Sequence, residues 1–176
     1  MSLPNLIIPG AAKSGTSTLH AALAEHPQVF MSQKKEPHFF ARSPSESGLA
    51  SYLSLFEGTG EYPVRGESST SYMVVPEAPR QIRKVLKDPK IIFIVRNPVA
   101  WAFSHYRWLC SLGLEYRPFR KAFNADRDEV PSIWNSVLNS GNFRYYHHTR
   151  LTARPCSASC AGSSGTGSSL SLSNGE

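Results

Sequence analysis

Short apolar runs, separated by polar segments, recur along the first part of the chain. Three of them, NLIIP (5–9), QVFMS (28–32) and KIIFIV (90–95), have the length and composition of β-strands. The first has the character of a strand buried in a parallel sheet. The last is uninterrupted, β-branched and aromatic, which makes it the strongest strand prediction. The segment YPVRGESS (62–69) fits a short strand or a loop.

Segments with apolar residues at helical spacing lie between these runs. In the first of them, TSTLHAALAEH (16–26), Leu19, Ala22 and Leu23 share one helical face, and Pro27 ends the helix. Strands that alternate with helices predict an α/β fold with a central parallel sheet. The predicted helices cover residues 16–26, 46–58, 77–88 and 99–112.

Composition divides the chain into two parts. We expect residues 1–149 to form one folded domain, because apolar, aromatic and charged residues mix there at normal density. Residues 150–176 are rich in Ser and Gly and can bury too little apolar surface to offset the entropy of ordering, so we expect a low-complexity, disordered tail. The formal net charge of +6 and the pI near 9.4 favour an anionic ligand without identifying it.

Several function classes are disfavoured by what the sequence lacks. It shows no apolar run long enough to span a membrane and no signal-peptide pattern. The three cysteines have neither zinc-site nor disulfide-framework spacing. We therefore expect a cytoplasmic protein, or a Golgi-lumenal one if the N-terminus is incomplete. The basic residues are spread out, which argues against nucleic-acid binding. No pattern indicates the oligomeric state.

The segment PGAAKSGTSTL (9–19) follows a predicted strand and opens a predicted helix. In that position backbone N–H groups can hold a phosphate, and Gly10 and Gly15 let the backbone approach it closely. Lys13 precedes the second glycine, whereas the loop G-x-x-x-x-G-K-[ST] of nucleoside triphosphatases has its lysine after it. No apolar strand ends in an Asp that would hold a metal. An ordinary turn with a Ser or Thr helix cap is the alternative that this segment alone leaves open.

A second candidate anion site follows the strongest predicted strand. In IFIVRNPVAWAFSHYRW (92–108), Arg96 stands at the carboxyl end of the strand, where open α/β sheets bind ligands. Pro98 suits the first position of a helix, and Ser104 follows about two helical turns after Arg96. Arg96 and Ser104 together are able to bind a phosphate. The alternative is an Arg96 paired with a carboxylate and a Ser104 on the helix surface.

These two segments together resemble the sulfotransferases that use 3′-phosphoadenylyl sulfate (PAPS). In that family the first loop binds the 5′-phosphosulfate end of PAPS, and the Arg-Asx-Pro…Ser segment binds its 3′-phosphate. Both segments follow a predicted strand and precede a predicted helix, in the order that the family has. The resemblance implies the donor-binding residues Lys13, Ser14, Gly15, Thr16, Ser17, Thr18, Arg96 and Ser104.

A third segment, QKKEPHFF (33–40), resembles the Glu-x-x-Phe-Phe segment of the heparan-sulfate and related carbohydrate-type sulfotransferases. The resemblance implies that Glu36 is the catalytic base, which takes a proton from an acceptor hydroxyl or amine. It also implies that Lys13 offsets the charge that grows on the leaving nucleotide, and that no metal is required. The expected acceptor is a carbohydrate. Taken alone, Glu36 fits a solvated charge beside Lys34 and Lys35 equally well.

The segment VRGESSTSYM (64–73) resembles the family segment that lines the substrate cleft, with Glu67 and Tyr72 in matching places. Ser68 stands where the carbohydrate enzymes often have Lys. The resemblance covers about residues 4–148. It implies a P-loop-type, three-layer α/β/α fold with a central parallel sheet, incomplete at the C-terminus.

Two alternatives to an active sulfotransferase remain open from the sequence. One is an inactive, C-terminally truncated sulfotransferase-like module that still binds nucleotide or glycan. The other is a P-loop kinase, which is disfavoured by the position of Lys13 and by the lack of a metal-holding Asp.

Overall fold

Four parallel strands form the sheet in the described part of the protein. They were located in a computed structural model, which describes residues 2–42 and 46–128. All three apolar runs predicted as strands are confirmed, and the ambiguous segment 62–69 also contains one. The strands are β1 (Leu6–Gly10), β2 (Val29–Met31), β3 (Val64–Ser68) and β4 (Lys90–Phe93).

The order of strands across the sheet is β2-β3-β1-β4, and all three pairings are parallel. Every residue of β1 is buried, as expected for a strand that lies between two neighbours and is covered on both faces. The hydrogen bonding of β1 with the β4 segment continues past Phe93, because the Ile94 N–H donates to the Gly10 carbonyl (2.9 Å) and the Ala11 N–H to the Ile94 carbonyl (2.7 Å).

Helices connect the strands, as the alternating pattern predicted. The long segment 46–58 divides into an α-helix and a following 3-10 helix, Ser54–Phe56. Two further 3-10 helices, Phe39–Ala41 and Thr70–Met73, lie close to the carboxyl ends of β2 and β3. The α-helices are α1 (Thr16–Ala24), α2 (Glu46–Leu53), α3 (Ala78–Val85), α4 (Pro98–Ser111) and α5 (Phe119–Asp128).

The sheet separates two hydrophobic clusters, which gives the expected three-layer α/β/α arrangement. Ile7 of β1 packs into a large cluster with residues of α2, α3 and the 3-10 helices. The neighbouring Leu6 and Ile8 point to the opposite face, because side chains alternate along a strand, and there they meet Leu19 and Leu23 of α1. Ala22, which the sequence placed on the same helical face, is exposed, so α1 contacts the sheet through a narrower stripe than predicted.

The run with the strongest strand signal forms β4, which pairs on one side only within the described part of the chain. The solvent-exposed fractions of Ile91, Ile92 and Phe93 are 36% to 42%. The apolar character of this run therefore predicted the strand correctly without indicating how deeply it is buried here. Among the described helices, none is long and apolar enough to cross a membrane. The predicted tail, 150–176, lies outside the described residues.

Gly66 of β3 lies opposite Leu6 on one neighbouring strand and Met31 on the other. A β-carbon at this position would lie 2.6 Å from Met31 Sδ and 3.1 Å from Leu6 Cδ2. Glycine at this position therefore leaves the space in which the side chains of Met31 and Leu6 pack over β3.

The substitution Gly66→Ala is expected to lower the free energy of unfolding by about 1–3 kcal/mol, because the added methyl group overpacks this contact. Urea titration measures the change. The same substitution in a Met31→Ala background is expected to cost about 1 kcal/mol less, since the clashing sulfur is then absent. An equal cost in both backgrounds would contradict this account of the glycine.

Candidate active site

A cavity of about 880 Å³ opens at the carboxyl edge of the sheet, where the segments that follow β1, β2, β3 and β4 meet. This is the place at which open parallel sheets bind ligands. Thr18, which the resemblance also suggested, lies exposed on α1 and does not line the cavity. The other suggested residues all line it, namely Lys13, Ser14, Gly15, Thr16, Ser17, Glu36, Arg96 and Ser104.

The loop between β1 and α1 has the backbone of an anion-binding turn. Lys13 and Gly15 have positive φ angles of 60° and 97°, and space around Gly15 is open, so its backbone angle and not packing favours glycine there. No side chain in the described ranges caps α1, whose first turn therefore offers its N–H groups to a ligand. The Ser14 hydroxyl is buried and has no hydrogen-bond partner among the described residues. These features disfavour an ordinary capped turn.

Two hydrogen bonds join the two predicted anion sites. The Arg96 guanidinium donates through Nη1 to the Lys13 carbonyl (3.2 Å), and the Trp101 indole donates through Nε1 to the Ala12 carbonyl (2.6 Å). Within the described ranges Arg96 makes no ion pair, contrary to the alternative in which a carboxylate holds it. Its charge is therefore available to a ligand.

Asn97 fixes the start of α4. Its Oδ1 accepts the backbone N–H groups of Val99 (3.0 Å) and Ala100 (3.2 Å), while Pro98 fills a first-turn position that needs no N–H donor. This double cap aligns α4 so that Ser104 faces the cavity.

One wall of the cavity is aromatic, a feature that was not predicted from the sequence. Trp101, His105 and Trp108 of α4 all line it. The rings of Trp101 and His105 stack with centroids 5.2 Å apart, and Lys13 Nζ lies 5.6 Å from the centre of the Trp108 ring. Their spacing along PVAWAFSHYRW is the signal that would have placed them on one helical face.

Glu36 faces the cavity from the segment after β2. Its Oε2 accepts hydrogen bonds from the Thr70 backbone N–H (2.7 Å) and the Thr70 hydroxyl (3.2 Å). Its Oε1 lies 2.9 Å from Lys35 Nζ. The carboxylate is therefore held in a fixed orientation at the site, and it is not only a solvated charge beside lysines.

His38 lies next to this carboxylate, with Nδ1 3.6 Å from Glu36 Oε2 and 2.7 Å from the Ser71 hydroxyl. Burial lowers the pKa of His38, and the opposing attraction of Glu36 is smaller. The His38 imidazole is therefore neutral at pH 7. As a result, no cationic histidine lies beside the Glu36 carboxylate at this position.

Glu67 and Tyr72 are buried and do not line the cavity, which corrects the expectation that they line the substrate cleft. Both point into the aromatic cluster on the α2 and α3 side of the sheet, where they hydrogen-bond to each other. Ser68 is buried as well, and its hydroxyl lies 2.8 Å from Nδ1 of His20.

The Glu67 carboxyl instead lies beneath the site, in the core, and is connected to it by hydrogen bonds. Its Oε1 accepts hydrogen bonds from the Tyr72 hydroxyl (2.7 Å) and the Tyr52 hydroxyl (3.2 Å), and its Oε2 accepts one from the Ser69 hydroxyl (2.8 Å). The Ser69 oxygen in turn accepts the backbone N–H of His38 (3.0 Å). Burial raises the pKa of Glu67 to about 7, although its three hydroxyl donors act in the opposite direction.

A pH-dependent contribution to stability follows from Glu67. Because burial raises its pKa from 4.5 to about 7, its contribution is greatest below pH 4.5 and is lost as the pH rises through about 7. Glu67→Gln keeps a neutral side chain at every pH. We expect it to be more destabilising at pH 5 than at pH 8, by on the order of 2 kcal/mol, in urea titrations.

The exposed Glu61 provides the matched control, because Glu61→Gln makes the same chemical change away from the core. The prediction for Glu67 is contradicted if Glu67→Gln, corrected for this control, changes stability equally at both pH values.

Known proteins resemble this chain over the same segments. The family model described as "Sulfotransferase domain" matches residues 3–154. Human heparan sulfate glucosamine 3-O-sulfotransferase 6 is 39% identical over 135 residues, which cover 76% of this chain and 39% of that protein. Mouse heparan sulfate glucosamine 3-O-sulfotransferase 3A1 is 44% identical over 137 residues, 77% of this chain and 34% of its own length. The chain thus spans well under half of these relatives.

A solved structure agrees with the fold. The crystal structure of a sulfotransferase from Alicyclobacillus acidocaldarius matches with a TM-score of 0.72 and 28% identity, over 89% of this chain and 68% of that one. Together with the family match across residues 3–154, this shows that the chain belongs to the sulfotransferase domain family.

Proposed function

We propose that this protein transfers the sulfuryl group of PAPS to a hydroxyl or amine of a carbohydrate acceptor. The observation that carries the proposal is the meeting of three groups in one cavity: the lysine-bearing phosphate loop, Arg96, which makes no ion pair with another described residue, and the oriented carboxylate of Glu36. The relatives described above are heparan sulfate glucosamine 3-O-sulfotransferases, which supports the choice of acceptor class.

The residues present fit the anionic groups of the donor. The buried Ser14 hydroxyl and the first turn of α1, neither of which has a side-chain partner in the described part of the chain, suit the 5′-phosphosulfate end. Arg96 and Ser104 suit the 3′-phosphate, because Arg96 has no carboxylate partner among the described residues and Ser104 lines the same cavity. When bound, PAPS supplies an electrophilic sulfuryl group attached to a phosphate leaving group.

Glu36 takes the proton of the attacking hydroxyl or amine in this proposal. Its Oε2 is already held by both donors of Thr70, so Oε1, whose one hydrogen bond among the described residues comes from the partly exposed Lys35, is the atom that receives the proton. Thr70 keeps the carboxylate turned toward the cavity, and His38 beside it stays uncharged. Lys13 offsets the negative charge that develops on the departing phosphate. Among the described residues, no cluster of three or more His, Cys, Asp or Glu side chains is arranged to hold a metal ion.

The donor site is tested by calorimetric titration of the chain with 3′,5′-adenosine bisphosphate. We expect binding that is equal with Mg²⁺ and with a chelator, and a loss of about tenfold or more in affinity for Arg96→Ala, which removes a charged hydrogen-bond donor. Arg120→Ala on the exposed surface of α5 is the control and should bind as the unchanged chain does. Binding that requires Mg²⁺ would favour the kinase alternative, and no binding by a folded chain would overturn the proposed function.

The catalytic carboxylate is tested by the rate of sulfate transfer from PAPS to a heparan-type oligosaccharide. Glu36→Gln is expected to reduce the rate by about 10²–10⁴-fold, because the amide accepts no proton, while nucleotide affinity stays within about twofold. The exposed Glu57→Gln serves as the control. An unchanged rate in Glu36→Gln would refute its role. Nucleotide binding without turnover by the unchanged chain would support the alternative of a binding module.

A further inference from the structure

A second cavity of about 500 Å³ adjoins the first on the α4 side. The two cavities share Lys13, Arg96, Ser104 and Trp108. The second cavity extends further along α4, where its wall includes Arg107. The proposed function assigns no role to this extension.

The residues that line the extension are arranged to receive an anion. Ser104, Arg107 and Ser111 have the spacing that places side chains on one face of an α-helix. Arg96 reaches the same cavity from the end of β4, and Lys13 reaches it from the phosphate loop. Among the described residues that line this cavity, none carries a carboxylate.

The charges of these side chains are not balanced locally. In the described part of the chain, Arg107 makes no ion pair, and neither do Arg96 and Lys13. Three cations that line one cavity repel one another. An anion placed between them is attracted by all three, so the net electrostatic interaction becomes favourable. The cavity therefore favours a ligand group with more than one negative charge.

We propose that Arg107 is a further donor-binding residue, which contacts the 3′-phosphate of the nucleotide together with Arg96 and Ser104. This inference rests on the proposed function, since it concerns the same donor. A phosphate monoester carries a charge of about −1.5 to −2 at pH 7 and has three acceptor oxygens, so one arginine and one hydroxyl leave acceptor capacity unused. Arg107 lies one helical turn beyond Ser104, within the cavity that both share with Arg96.

A sulfate group of the acceptor glycan has the same oxyanion chemistry, and the choice of ligands separates the two sources. The full chain is titrated with 3′,5′-adenosine bisphosphate and with 5′-adenosine monophosphate, which differ only in the 3′-phosphate, and separately with a sulfated heparan fragment. Arg107→Gln is compared with Arg120→Gln, which removes the same charge from an exposed site that lines neither cavity. Thermal unfolding verifies that each variant is folded.

We expect Arg107→Gln to weaken binding of the bisphosphate by about tenfold and binding of the monophosphate by less than about twofold. Arg120→Gln should leave both affinities unchanged. The preference of the chain for the bisphosphate should therefore shrink in Arg107→Gln alone.

Four outcomes overturn the inference. If the chain prefers the bisphosphate and Arg107→Gln keeps the full preference, Arg107 does not contact the 3′-phosphate, while the proposed function stands. If Arg107→Gln weakens both nucleotides equally, or weakens only a sulfated heparan fragment, Arg107 serves another anion. If the folded, unchanged chain binds neither nucleotide, the proposed function fails and this inference fails with it.

Discussion

The parallel pairing of β1 with β3 on one side and with the β4 segment on the other is the constraint on which the site depends. Parallel strands end at the same edge, so this pairing brings the phosphate loop, the segment before Thr70 and the segment before Arg96 to one place. The burial of every residue of β1 fixes the register, because a shift by one residue would exchange Ile7 with Leu6 and Ile8 between two different clusters.

Beneath the cavity, a layer of buried polar groups connects the core to the site. The Glu67 carboxyl accepts a hydrogen bond from the Ser69 hydroxyl, and the Ser69 oxygen accepts the backbone N–H of His38. Thr70, which follows Ser69 in the chain, donates its backbone N–H to Glu36. Each member of this series has its partner, as buried polar groups require. The position of Thr70, which orients the Glu36 carboxylate, is thus linked to Ser69 and Glu67, two buried residues that do not line the cavity. A core substitution at Glu67 can for that reason disturb the chemistry as well as the stability.

Much of the fold follows from local patterns in the sequence. The strands β1, β2 and β4 are continuous apolar runs, and the phosphate loop and Arg96 stand at strand ends, so their meeting at one edge follows from parallel pairing. The position of Glu36 required the likeness to a family, because one carboxylate between lysines has no distinctive pattern of its own. The burial of Glu67 was not predictable, since the two tyrosines that satisfy it are brought together only by tertiary packing. The exposure of β4 also depends on tertiary packing. Its apolar sequence is typical of a core strand, although its side chains remain partly exposed here.

The contact of Lys13 with the Trp108 ring has an optical consequence. Two of the three tryptophans of the chain, Trp101 and Trp108, line the main cavity, and Nζ of Lys13, a residue of the phosphate loop, lies 5.6 Å from the centre of the Trp108 ring. Indole emission responds to the charges and the water around the ring. A ligand that draws Lys13 away from Trp108 therefore changes the light that the protein emits, and the chain contains its own unlabelled reporter of occupancy.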